Sequence, residues 1–229
     1  MQLGLARFAV KHPKLLYKYL SRERNLSTFL QIDPKQVKAY LAEANVISQQ
    51  LLERMKENAA SGSMVSPLRG PVIYTCIRAL KPKIMVETGV ASGSSTTYIL
   101  NAMKANGVGK LYSIDLPNAD PAAQIPQGKE PGWLVPDVLR ANWRLTIGES
   151  KKELPALVKE AGVIDVFLHD SEHTYENMMF EYNTVWPHIP HNGALLSDDA
   201  MWNKSFTHFV AQQKPERIKV FDGIGGAIK

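Results

Sequence analysis

Apolar positions follow two rhythms along this chain, helical spacing in the first third and short runs alternating with helical stripes thereafter. Pro13 opens a short helix with Leu15, Leu16, Tyr19 and Leu20 on one side, and the polar stretch 21–25 predicts a turn after it. Asp33-Pro34 reads as the N-cap and first residue of a long helix. Its apolar positions Val37, Tyr40, Leu41, Ala44, Ile47, Leu51, Leu52 and Met55 recur at 3/4 spacing. Residues 59–66 are small and polar and predict a linker, and residues 67–80 predict a helix that Pro82 stops. From Lys83 the pattern predicts strands at 84–87, 110–115, 143–147, 163–168, 193–198, 217–222 and 225–229. Helices are expected at 94–106, 136–141, 151–161, 174–187 and 204–213. Strands alternating with helices make a doubly wound, mainly parallel α/β sheet of seven strands. The last two strands are joined only by a short turn at Gly223, which requires an antiparallel hairpin at an edge. The division expected is an N-terminal helical extension, 1–62, and an α/β domain, 63–229.

Charge sharpens this division. Residues 1–24 carry six basic side chains against Glu23 alone, a net charge of +5 that equals the net charge of the whole chain. The remainder balances 21 basic against 21 acidic residues, so the α/β part has no electrostatic reason to bind nucleic acid. The simplest reading of the basic arm is a solvated helix face, with contact to an anionic membrane surface as the alternative. The stripe of the long helix predicts packing on the core or over the site as a lid, in preference to a homodimer contact. One cysteine, Cys76, excludes an internal disulfide and favours a reducing compartment. Arg7 and Lys11 interrupt the apolar N-terminal stretch, which argues against a secretory signal, so a cytoplasmic location is expected.

Candidate chemistry collects where the strands end, because open α/β sheets bind ligands beyond their carboxyl ends. The run 83–95, KIMVETGVASGSS, is a strand, a glycine turn and a helix start, with Glu87, Gly89, Gly93 and Ser94 at the junction. Its G-x-x-x-G spacing departs from the dinucleotide fingerprint. Glu87 at the strand end suits a ligand that presents an amine or hydroxyls rather than a pyrophosphate. Asp115 ends the second strand, 22 residues after Gly93, where an acidic residue takes ribose hydroxyls. Glu149 and Ser150 follow the third strand, Asp170 and His173 the fourth, and Asp198 and Asp199 the fifth. Asp170, Asp198 and Asp199 make an oxygen-rich pocket for a hard divalent cation, Mg²⁺ by default; the alternative is an N-cap and a solvated carboxylate. His173 suits a general base near physiological pH. His169 reads as structural, and His188 and His191 as solvated. Trp133 and Trp202 are candidates for the wall of a substrate pocket, whereas Trp143 and Trp186 read as core.

The ordered set VETGVASGSST, SID, IGES, FLHDSEHTYE and GALLSDD over residues 65–229 resembles the class I S-adenosylmethionine-dependent methyltransferases. More narrowly it is similar to their metal-dependent O-methyltransferase branch, which includes catechol-type and macrolide-sugar enzymes. The resemblance implies a Rossmann-like fold with Glu87, Gly89 and Gly93 along the methionine part of S-adenosyl-L-methionine. It further implies Asp115 on the ribose, Glu149 and Ser150 at the adenine, a metal on Asp170, Asp198 and Asp199, and His173 as base. The acceptor it implies is a hydroxyl oxygen of a small molecule. The third metal ligand is often Asn in that branch and is Asp here, and the turn lacks the middle glycine of the commoner pattern. Two alternatives stand beside this reading. One is a metal-independent methyltransferase or a hydroxylase-like relative on the same scaffold; the other is a non-catalytic cofactor-binding module that docks through its basic arm. An NAD dehydrogenase fits less well, given the glycine spacing and Glu87.

Overall fold

The computed structural model describes residues 13–57, 68–116, 125–126 and 128–229, with only the backbone of residues 13–20. Seven helices and seven strands run in chain order: α1 Pro13–Leu30, α2 Pro34–Glu57, α3 Arg69–Leu80, β1 Ile84–Thr88, α4 Ser94–Asn106 and β2 Lys110–Asp115. Then follow β3 Trp143–Ile147, α5 Ser150–Ala161, β4 Val166–His169, α6 Tyr175–Val185, β5 Ala194–Ser197, α7 Ser205–Gln213, β6 Arg217–Phe221 and β7 Ile224–Ile228. The sheet order is β3-β2-β1-β4-β5-β7-β6. All pairings from β3 to β5 are parallel, and β7 pairs antiparallel with both β5 and β6. The chain winds outward through β1, β2 and β3, then returns to place β4 beside β1. That reversal is the switch point at which such sheets open a crevice.

The element pattern follows local chemistry. Asp33 caps α2 by accepting the Lys35 amide at 2.7 Å, with Pro34 preset for the first turn. Lys81 closes α3 in the left-handed conformation, and Pro82 prevents continuation. Pro187 turns the end of α6 into a single 3-10 turn, Trp186–His188, where a longer helix was expected. The stretch 136–141 is a 3-10 helix, Asp137–Asn142.

The turn expected at 21–25 is instead the middle of α1. Tertiary packing accounts for the difference. Leu26, Phe29 and Leu30 are buried, Phe29 meets Phe221 edge-on at 5.3 Å, and Arg217 donates to the Phe29 carbonyl at 2.6 Å. Arg22, one of the six cations of the basic arm, is itself buried and pairs with Asp222 at 2.9 Å. Residues 1–12, the linker at 59–66 with the 62/63 boundary, and 117–124 of the long loop lie outside the described residues.

One sheet face is covered by α1 to α4, whose buried positions form one cluster with Met85, Leu111, Leu168, Leu196 and Ile224. The stripe Val37, Tyr40, Ala44, Ile47 and Leu51 of α2 is buried within this cluster. The other face carries α5, α6 and α7 against Val86, Ile114, Phe167 and Leu195. With both faces closed, the carboxyl ends of β1, β2, β4 and β5 carry the polar groups. No described helix is long and apolar enough to cross a membrane.

Candidate active site

The glycine turn is built from backbone constraints. Gly89 and Gly93 have φ of +86° and +87°, conformations that cost a β-carbon dearly. Space forbids one as well. A β-carbon on Gly89 would lie 2.0 Å from the Asp170 carbonyl oxygen, and one on Gly93 would lie 2.6 Å from the Gly132 α-carbon. Gly89 thus brings the β1 turn against the backbone that follows β4, where the Asp170 amide donates to the Thr88 carbonyl at 2.8 Å. Gly93 admits the end of the long loop, whose Gly132 and Leu134 amides donate to the Ala91 and Ser92 carbonyls at 2.8 and 2.9 Å. Ser94 is buried at the first position of α4.

Glu87 is fully buried beneath this turn. It accepts from the hydroxyls of Ser95, Thr96 and Ser113, each at 2.8 Å. Burial pushes its carboxyl up to about 7, although the three hydroxyls oppose the shift. Both oxygens are engaged, so the direct work of Glu87 is to pin the start of α4 to β1 and β2.

Asp115 differs in one atom. Its Oδ1 accepts the Val90 and Ala91 amides at 3.0 and 3.4 Å, while Oδ2 is buried with no partner among the described residues. Burial raises its carboxyl, and the two amides work against that rise. Such an orphaned acceptor carries a desolvation cost that a ligand hydroxyl would relieve. The Gly148 amide donates to the Asp115 carbonyl at 2.9 Å, which sets the end of β3 beside it. Glu149 there is exposed and pairs with Lys152 at 3.0 Å, and Ser150 donates to Asn177 at 3.3 Å.

Across the switch point, Asp170, His173 and Asp198 each bring one ligand atom within 4.8 Å of the others. Asp170 is held well above the usual carboxylate range by burial first, then by the negative charges of Asp198 and Glu87. His173 is pulled below its ordinary value by burial and by neighbouring His169, so its imidazole is neutral at physiological pH. Its Nε2 is buried and has no partner among the described residues. The donor set, two carboxylates and an imidazole, fits a divalent cation; a hard ion would draw on the carboxylates and leave the imidazole to handle a proton.

Asp199 stands apart from that group. Its φ is +45°, an uncommon conformation for a residue with a β-carbon, and its Oδ1 accepts from Arg69 Nη2 at 2.7 Å. Arg69 Nη1 donates to both oxygens of Asp198, at 2.9 and 2.8 Å. Asp198 is nonetheless raised by burial, against the lowering influence of Arg69.

Sequence reasoning missed Arg69, because nothing in its local pattern separates it from other helix-start cations. It also missed Glu181. This fully buried carboxylate joins Thr88 at 2.5 Å, His169 Nδ1 at 2.6 Å, Ser171 at 2.7 Å and Asn177 at 3.1 Å. Burial would raise Glu181, but His169 and the surrounding donors prevail and lower it. His169 is therefore a buried structural partner, its ring 5.3 Å from that of His173 and nearly perpendicular to it. The Met201 and Trp202 side chains, just past Asp199, are 67% and 73% exposed. Trp133 is half-buried, with its indole N–H unpartnered among the described residues. A cavity between α2, α4 and the 3-10 helix, lined by Ile47, Arg54, Asn101 and Lys104 among others, contains none of these candidate site residues.

Residues 86–200 match the family described as "Methyltransferase domain". No curated protein matches the chain. Among solved structures, a methyltransferase from Geobacter sulfurreducens is 17% identical, with 86% of this chain and 96% of that chain covered and a TM-score of 0.59. The SAH-bound Podospora anserina methyltransferase PaMTH1 is 17% identical, covering 79% and 88%, with a TM-score of 0.56. The O-methyltransferase NovP is 16% identical, covering 75% and 83%, with a TM-score of 0.56. At these identities the likeness is one of fold.

Proposed function

The chain belongs to the methyltransferase-domain family, and from that premise we propose that it transfers a methyl group from S-adenosyl-L-methionine to a hydroxyl oxygen of a small molecule, assisted by a divalent cation. The single observation that carries the cofactor is the buried, unpartnered Oδ2 of Asp115 beside the glycine turn. Asp115 accepts the ribose hydroxyls there, and Gly89 and Gly93 let the ligand approach the main chain. Glu87 keeps the turn in register, and Ser94, Glu149 and Ser150 border the same cleft. The SAH-bound relative of this fold supports the cofactor, and the relative named as an O-methyltransferase supports oxygen as the acceptor atom.

When bound, the cofactor supplies a methyl group activated on sulfonium sulfur, and the cation, Mg²⁺ by default, supplies positive charge beside the acceptor oxygen. Asp170 and Asp198 hold the cation, with Asp199 as the third candidate ligand. His173 is neutral, and its buried Nε2 accepts the hydroxyl proton as the oxygen becomes nucleophilic. Exposed Met201 and Trp202 offer an apolar wall to the acceptor. Asp115, Asp170 and the other groups at the carboxyl ends of the strands are held by the sheet, so positioning accounts for much of the remaining rate.

One observation favours a second reading: Arg69 already places positive charge on Asp198 and Asp199. In that reading methyl transfer needs no metal. Calorimetric titration with S-adenosylmethionine tests the cofactor, and binding that is unaffected by Asp115→Ala would remove its basis. Transfer of a labelled methyl group to a panel of phenols and sugars, with and without EDTA, separates the two readings. Loss of activity in EDTA that Mg²⁺ restores supports the cation; full activity in EDTA selects Arg69.

A further inference from the structure

We propose that Arg69 is an internal cation that competes for the acidic site and determines which carboxylates a divalent cation can reach. This inference rests on the cation reading above and assigns a residue which that reading leaves without a role. In the structure the three strand-end aspartates are not equivalent. Asp170, Asp198 and His173 bring ligand atoms within 4.8 Å of one another, and Asp199 is not part of that group. The Asp199 carboxylate is turned instead to Arg69 Nη2.

Several contacts fix the guanidinium where it stands. Nη1 spans both oxygens of Asp198, Nη2 reaches Asp199, and Nε donates to the Asp222 carbonyl at 3.1 Å. The carboxylate of Asp222 is held in turn by Arg22 of α1, through Nε at 3.1 Å and Nη2 at 2.9 Å. Gly223 leaves the room: a β-carbon there would lie 2.7 Å from Arg69 Nη2. A planar fork fixed at four points cannot follow a small ion as a lysine would. Each oxygen of Asp198 has a lone pair beyond the one given to Arg69, so Asp198 can serve both cations. Asp199 offers its Oδ1 to Arg69 from a left-handed backbone position, φ +45°.

Two consequences follow for this chain. Arg69 offsets part of the negative charge of the acidic cluster before any metal arrives, which lessens the repulsion that three close carboxylates impose. The divalent cation is then held by Asp170 and Asp198, and Asp199 becomes a ligand only when Arg69 is removed. Arg69 thereby weakens metal binding in the native chain, because the arrangement competent for three carboxylates is scarcely populated.

A double-mutant cycle on the full-length protein, read by calorimetric titration with Mg²⁺ in the absence of cofactor, tests this. Arg69→Gln is expected to tighten Mg²⁺ binding by about tenfold or more, as for release of a competing state. Asp199→Asn alone is expected to change the affinity by less than about twofold, whereas in the Arg69→Gln background it cancels the gain. Asp198→Asn weakens binding in both backgrounds. Equal or weaker binding by Arg69→Gln overturns the proposal, as does an Asp199→Asn change in the native background as large as that of Asp198→Asn. Absence of Mg²⁺ binding in native, Arg69→Gln and Asp199→Asn proteins alike overturns the cation reading itself and this inference with it. If Arg69→Gln does not fold, judged by its melting curve, the partly exposed Asp199→Asn variant still decides the matter in the native background.

Discussion

Carboxylates end neighbouring strands at one level of the sheet, and the two sides of the switch point stabilise them by different means. On the β1–β2 side, Glu87 is satisfied by three hydroxyls and Asp115 by two backbone amides, with one oxygen of Asp115 left over. On the β4–β5 side, Asp198 and Asp199 are satisfied by a guanidinium, and Asp170 is pushed up strongly by burial and then by the charges of Asp198 and Glu87. Neutral donors suit a site that binds a ligand through hydrogen bonds. A fixed positive charge suits a site whose acidity must persist for a cation and a moving proton. The acid is the same residue class on both sides, and its neighbours decide the chemistry.

The sharpest way to break this comparison is at His173. His173→Ala is expected to lower turnover by about 10²–10⁴-fold, the usual worth of a general base, with cofactor affinity almost unchanged. Steady-state kinetics beside a binding titration checks both halves, and turnover at the native rate would remove His173 from the mechanism. Asp115→Ala probes the other side. It should weaken S-adenosylmethionine by about tenfold to a hundredfold, or roughly 1.4–3 kcal/mol, while Mg²⁺ binding is retained.

Glu87 gives a pH signature that its own substitution isolates. Its carboxyl is raised from 4.5 to about 7 because ionisation in a buried place is unfavourable. The neutral form therefore supports the fold: the contribution is fully present below about pH 4.5 and is lost as pH rises through about 7, amounting to roughly 3 kcal/mol. Glu87→Gln stays neutral, and the surrounding hydroxyls can rotate to accept from its amide. Thermal melts of the variant should lose less stability than native protein between about pH 5 and pH 8. An unchanged pH profile would show that Glu87 is ionised in the fold throughout. The smallest effect is expected at Trp202. Trp202→Ala should raise the KM for the acceptor by about threefold to tenfold with little change in kcat, as for loss of an apolar wall.

Much of the architecture was legible because it is written in local periodicity. The strands at 110–115 and 143–147 and the helix at 94–106 keep their expected bounds, since buried strands and amphipathic helices need particular residues at short, regular intervals. The hairpin at Gly223 was legible for the same reason, because a turn of two residues permits only antiparallel strands. The helix at residues 21–25 was not legible. Its polar run resembles a turn until Leu26, Phe29 and Leu30 find the far edge of the sheet.

The acidic strand ends were likewise visible, because each follows its strand directly and the topology of a parallel sheet gathers such ends together. Their partners were hidden. Arg69 lies 129 residues before the Asp198 it serves, and Gly132 lies far along the chain from the turn it covers. Such pairings leave no periodic trace. Sequence alone determined a doubly wound sheet, a glycine turn after β1 and a row of carboxylates beyond the strands, because these depend on near neighbours. Only the tertiary structure decided that Glu87 spends itself on hydroxyls, that Asp115 keeps one oxygen unpartnered and that Arg69 divides Asp199 from Asp170. Those outcomes depend on which distant side chain reaches a buried charge, and burial makes each charge require a partner wherever in the chain one can be found.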